Sequence, residues 1–268
     1  MSHFDTSKVT DMSYMFSDCM QVENLDVSHF DTSNVTDMSG MFLCCRSVQN
    51  LDVSHFQTSK VSKMGAMFAN CKNLVTLDVS NFQTSQLTEV RLDDFYRDHD
   101  GEAYYYSMFE GCNRLKTLNL GDFDISKVTC ISGMFAGCSS LTTLDVSSFD
   151  TSKVKYMGSM FEGCSSLIEL DVKHFDTSAL IGMEHMFKNC SSLTTLDLSS
   201  FDISNVDYFL SHTLSALDGC SGLTKLYTPK KTGETTTNLP SGKWVGDDGM
   251  VYKEIPKNAK NSIVLTKQ

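Results

Sequence analysis

The chain has 268 residues, 41% of them apolar, which is enough to pack a core and too many for disorder throughout. Its formal charge of −11 argues against a nucleic-acid binder, because that function needs a basic footprint to displace counterions from phosphate. With 3 Pro, no apolar run near 18 residues and no apolar leader, the sequence reads as carrying neither a membrane span nor an intact signal peptide.

Phenylalanine sets the register. Phe4, Phe30, Phe56, Phe82, Phe123, Phe149, Phe175 and Phe201 are spaced by 26 residues, with one step of 41. Met-Phe pairs from Met15-Phe16 to Met186-Phe187 keep the same rhythm, as do Cys19, Cys45, Cys71, Cys112, Cys138, Cys164 and Cys190. A fixed period of roughly 20–50 residues marks stacked repeats.

Taken in chain order, one unit (residues 141–166) begins with Thr143 to Ser147. There polar and apolar residues alternate and turn Leu144 and Val146 inward, which predicts a short strand. Asp150 or Ser152 then caps a predicted helix over 154–164, because Val154, Met157, Phe161 and Cys164 share a helical face and Gly163 stands near its end. The expected fold class is α/β: a right-handed leucine-rich-repeat-like solenoid with one short parallel strand and one short helix per repeat. About eight units fill residues 1–226. After Leu226 come all the prolines and Trp244, with a hairpin about Gly246–Gly249 and a strand near 262–266, so 227–268 reads as a small β cap. Met1-Ser2-His3-Phe4 is in phase with Val27-Ser28-His29-Phe30, so the array opens in mid-strand and a further rung upstream is expected.

The full motif, Leu-x-x-Leu-Asp-Val-Ser-x-Phe-Asp-Thr-Ser-x-Val-x-x-Met-x-x-Met-Phe-x-x-Cys-x-Ser-Leu, resembles the 26-residue repeat of bacterial surface proteins, the BspA-like leucine-rich repeat. That resemblance implies an extracellular, cell-surface protein without catalysis. It also implies adhesion to a host matrix or mucosal protein, a glycan or another microbial surface. It carries no family-wide binding residues and no cofactor.

The 41-residue step places a 15-residue insertion near 88–103, between Leu87 and Met108. It gathers Arg91, Phe95, Tyr96, Arg97, Tyr104, Tyr105 and Tyr106, side-chain types that anchor interfaces. Insertions leave a repeat stack as loops and often form the binding face, although this one could also fold back over its own repeat. Asp98-His99-Asp100-Gly101 imitates part of a calcium loop, but Tyr96 and Ser107 fall where its first and last ligands belong.

A ladder of carboxylates follows the strands: Asp26, Asp52, Asp78, Asp145, Asp171 and Asp197, with Asn119 in one rung. Neighbours about 5 Å apart repel by roughly 0.8 kcal/mol even in water, so the ladder needs hydroxyl or amide partners, Lys or cations. The Ser two positions on is the ready partner, and a ligand-binding stripe is the functional alternative. The cysteine column reads as buried free thiols, with one thiol of the Cys44-Cys45 pair exposed. No Cys-x-x-Cys spacing supports zinc, and no metal site is expected. His3, His29 and His55 align as a solvated edge. Two function classes remain: recognition through the strand face and the Tyr-rich loop, or a spacer that holds another domain away from a surface. The departures from the repeat, Glu169, Lys173, His174 and Gly121, are where specificity is expected.

Overall fold

The computed structural model describes residues 4–91, 96–97, 103–104, 106–206, 215–234 and 237–268. Within these residues each repeat forms one rung, bonded to the next at a nearly constant sequence offset. Parallel pairing joins Asn24 to Asn50, Asn50 to Thr76, and β1 (Thr76–Asp78) to β4 (Thr117–Asn119). A second ladder joins Asp11, Asp37, Lys63 and Glu89, and resumes through Cys130, Tyr156 and Gly182. A third set of bonds runs through the Met-Phe segments. Met12, Tyr14, Phe16 and Asp18 each donate an amide to the next rung, at 2.8–2.9 Å. The intervening amides of Met15, Ser17 and Cys19 turn back to the carbonyls of Met12, Tyr14 and Phe16.

This pattern overturns the α/β expectation of one helix per repeat, because the described residues contain strands and turns but no α-helix. The expected helix over 154–164 is a chain of tight turns. Ser159 (φ 53°) and Gly163 (φ 73°) take left-handed backbone there, as do Gly133 (72°) and Gly137 (73°) one rung earlier. Two such residues four apart break any α-helix. The physical reason is rung spacing: strands stack about 4.8 Å apart, whereas a helix is about 10 Å across. Helices on every rung would splay that side and bend the stack, whereas turns match the strand spacing. The apolar positions still point inward, and Val154, Met157, Met160, Phe161 and Cys164 are all fully buried. Nor does every rung hold a strand. Thr143 to Ser147 carries no ladder pairing among the described residues.

Buried columns run along the stack. Rings of Phe16, Phe42, Phe68, Phe109, Phe135, Phe161 and Phe187 follow one another at 5.7–5.8 Å between centroids, in stacked geometry. The step from Phe68 to Phe109 is as short as the others, so the insertion leaves the column undisturbed. A threonine column lies beside it. Thr58 Oγ1 accepts the Gln83 amide at 2.7 Å and donates to the Gln83 carbonyl at 3.3 Å; Thr6, Thr32 and Thr177 bridge the next rung in the same way.

The cysteine column donates. From Cys45 to Cys220, seven thiols each reach the carbonyl of a Phe one rung back, at 3.0–3.2 Å. Burial keeps them protonated, with Cys112 and Cys164 pushed up to about 12. Cys44 and Cys45 are both buried, contrary to the expectation of one exposed thiol.

At the far end, β5 (Thr195–Asp197) pairs in parallel with β7 (Lys225–Tyr227), and β6 (Asp202–Ile203) with β8 (Lys231–Thr232). The sheet then continues antiparallel through β11 (Val264–Lys267), β9 (Trp244–Gly246) and β10 (Val251–Tyr252). Trp244 is fully buried and donates its indole N–H to Pro240 O at 2.8 Å. Among the described residues no helix is long and apolar enough to cross a membrane.

Candidate functional site

The strand side of the stack opens where its ladder lapses. On this side no pairing joins the rungs between Asn119 and Thr195 among the described residues, and Ile168 N to Thr142 O, at 3.4 Å, is the long main-chain bond that spans them here. A depression of about 410 Å³ occupies this stretch, lined by Thr143, Glu169, Leu170, Asp171, Lys173, Thr194, Thr195 and Asp197. Glu169 stands where most other rungs carry Thr or Asn (Lys225 in the last), and Lys173 where most carry Ser (Gly121 in one). Both departures therefore meet in one place, beside Asp171 and Asp197 of the ladder.

The ladder carboxylates are tied by their own rungs. Asp26, Asp52, Asp78, Asp145 and Asp197 each accept the amide of the Ser two positions on, at 2.9–3.0 Å, and Asp171 accepts that of Lys173. The Ser hydroxyl and amide hold the Asp26, Asp52, Asp78 and Asp145 carboxyls below the usual range. Repulsion along the ladder is relieved twice, by Asn119 Nδ2 to Asp78 Oδ2 (3.2 Å) and by Lys173 Nζ to Asp197 Oδ2 (3.0 Å). At Asp197 partial burial works upward, but the Ser199 hydrogen bonds and the Lys173 ammonium bring the carboxyl down. Asp197 in turn raises the Lys173 ammonium.

The insertion divides. Tyr96 and Arg97 form β2 (Tyr96–Arg97), which pairs antiparallel with β3 (Ala103–Tyr104), Tyr96 opposite Tyr104. Phe95, Tyr105 and the segment Asp98 to Gly101 lie outside the described residues. Arg91 sits at the root, bridged antiparallel to Ser107. Tyr106 packs on a small buried cluster of Leu43, Cys44, Ala66 and Ala69, so this residue folds back over its own repeats.

In the histidine column His3 lies outside the described residues and His29 is exposed, whereas His55, like His174 at the same repeat position, is tied to the main chain. His55 Nε2 and His174 Nε2 bond to Val27 O and Val146 O at 2.8 and 2.9 Å, and each ring edge meets the following Phe. Among the described residues no group of three His, Cys, Asp or Glu is close enough to hold a metal ion. The bridging threonines and donating thiols were missed in the sequence, although Thr and Cys recur there at fixed positions. A polar residue that recurs in an apolar column is the signal that would have found them.

Residues 1–97 and 104–218 match DUF285, described as a Mycoplasma protein of unknown function. The chain belongs to this family. DUF285 thus spans the rungs described above and leaves the C-terminal strands β7 to β11 outside the match. Among curated proteins none matches the chain. Among solved structures, a leucine-rich repeat protein from Bacteroides ovatus ATCC 8483 is similar at 15% identity and a TM-score of 0.45. The likeness covers 82% of this chain and 53% of that protein, so the chain spans about half of its length.

Proposed function

We propose that this DUF285 chain is a non-catalytic recognition module of a cell surface, with the strand-side depression as its contact site for a protein or glycan. One observation carries the reading: two outward-facing departures from the repeat, Glu169 and Lys173, line the same depression where the ladder is open. A groove that offers carboxylates, one ammonium and the hydroxyls of Thr143, Thr194 and Thr195 suits hydroxyl-rich or charged ligands. The BspA-like character of the repeat motif supports extracellular placement and adhesion to matrix, mucosal or microbial surfaces. Arg91, Tyr96, Arg97 and Tyr104 on the insertion are proposed as a second contact element.

The test exploits the repeat itself. Glu169→Thr with Lys173→Ser restores residues that other rungs already accommodate, so the fold should melt unchanged. Binding to immobilised mucin, matrix proteins or microbial cells should fall at least tenfold. Undiminished binding removes the depression from the mechanism. If the unaltered chain captures none of these surfaces, the spacer reading takes its place.

A further inference from the structure

A second depression lies on a different face and has the opposite charge. The Asp11–Gly182 ladder stops at Glu89 and restarts at Cys130, at the height where the insertion departs. At intact junctions the amides of Ser62, Thr88 and Lys155 each reach a carbonyl one rung back, those of Thr36, Ser62 and Thr129. At the interrupted junction no described residue donates to Thr88 O or accepts from Thr129 N. The gap is an open groove of about 340 Å³ lined by Thr88, Glu89, Val90, Arg91, Lys127, Thr129 and Cys130. Arg91 reaches into it, with Nη1 at 3.6 Å from Cys130 Sγ.

The surroundings are cationic in an acidic protein. Across residues 59–63, 85–91, 126–130 and 152–156, four successive rungs, six cations stand against one carboxylate, with Asp124 and Asp150 three residues before Lys127 and Lys153. Lys60, Lys63, Lys127, Lys153 and Lys155 are exposed, and Arg91 is half-buried. Lys63 is paired with Glu89 at 3.7 Å, and Lys127 Nζ reaches back only to a neutral amide, Gln86 Oε1, at 3.2 Å. Tyr156, bridged to Cys130 in the ladder, exposes its ring beside the groove, where a sugar ring could stack.

We infer that this face binds a sulfated or otherwise acidic polysaccharide, laid across the rungs with its anionic groups on Lys127, Lys153 and Lys155. The hydroxyl of Thr129 and the main-chain groups left unpaired among the described residues serve the sugar hydroxyls, with Thr88 Oγ1, which donates to Ser62 O, as an acceptor. Nucleic acid fits less well. A duplex carries a charge about every 1.7 Å, and a protein of net −11 repels so dense a polymer everywhere outside this patch. A polysaccharide with sparser charge and many hydroxyls matches both the patch and its hydroxyl rows.

The probe is heparin oligosaccharide titrated into the full chain by calorimetry at two salt concentrations. Binding is expected, and it should weaken as salt rises because bound cations are exchanged for counterions. Lys127→Gln, Lys153→Gln and Lys155→Thr together place residue types that other rungs already carry. They should reduce affinity at least tenfold with an unchanged melting curve, while the strand-side variant Glu169→Thr/Lys173→Ser binds heparin as before. The inference is overturned if the unaltered chain does not bind at low salt, or if the triple variant binds equally. It is also overturned if desulfated heparin binds as tightly, or if a DNA duplex at equal charge competes as well as heparin does.

Discussion

The two ladders fail at different heights of the stack. The strand-side ladder runs from Asn24 to Asn119 and lapses before Thr195; the other is intact from Asp11 to Glu89, breaks once, and holds again from Cys130 to Gly182. Where one opens, the other is paired. Behind both gaps the Phe column continues at an unaltered 5.7–5.8 Å. A rung can therefore lose main-chain pairing along one side, and gain a groove there, because the buried columns still join it to its neighbours.

The largest effect should come from breaking a column where a ladder is already open. Phe161→Ala, behind the strand-side lapse, is expected to cost about 3–5 kcal/mol in denaturant unfolding. A cost below about 1 kcal/mol would mean that the remaining ladder, and not the column, holds the stack. Thr58→Val tests the polar column. It keeps the shape but leaves the Gln83 amide without its 2.7 Å acceptor, so a loss of about 1–3 kcal/mol is expected. An unchanged midpoint would reduce the threonines to packing.

Gly163→Ala separates turns from helix. The new Cβ would meet Gly137 at an ordinary 3.6 Å, so its effect is conformational. In a helix the substitution would stabilise; at φ 73° it should destabilise by about 1 kcal/mol.

The smallest effect concerns the insertion. In intact rungs the amide at the position of Ser107 serves the next rung, as Gly133 N serves Gly158 O. Ser107 N instead donates to Glu110 Oε2 at 3.0 Å, and burial pushes that carboxyl up to about 7. Unfolded Glu ionises near about 4.3, so between there and about 7 the folded state holds the extra proton and stability falls as pH rises. Glu110→Gln should match the unaltered protein near pH 4 and be the more stable at pH 8. Parallel stability curves would place the carboxyl in water.

The repeat was legible because the inward columns recur every 26 residues, and they are buried except in the first rung, where Phe4 and Met15 are exposed and Cys19 is half-buried. The helix was not. Residues at i, i+3 and i+7 point the same way on a helix and also on two successive turns, so periodicity alone could not separate them. The depression was half legible, since Glu169 and Lys173 stood out as departures, but that they meet depends on a lapse in pairing that no residue type announces. The cationic face was hidden by the net charge of −11, a sum over faces of opposite sign.

The near-constant offset of the bonds between rungs bears on how such a gene changes. Most units present to their follower the same Thr, Cys and Phe partners that they receive from their predecessor, with Ile125 and Ile203 standing in the Thr column. Duplicating or deleting one 26-residue unit by unequal recombination therefore rejoins compatible surfaces. A change in array length would then leave the buried columns continuous.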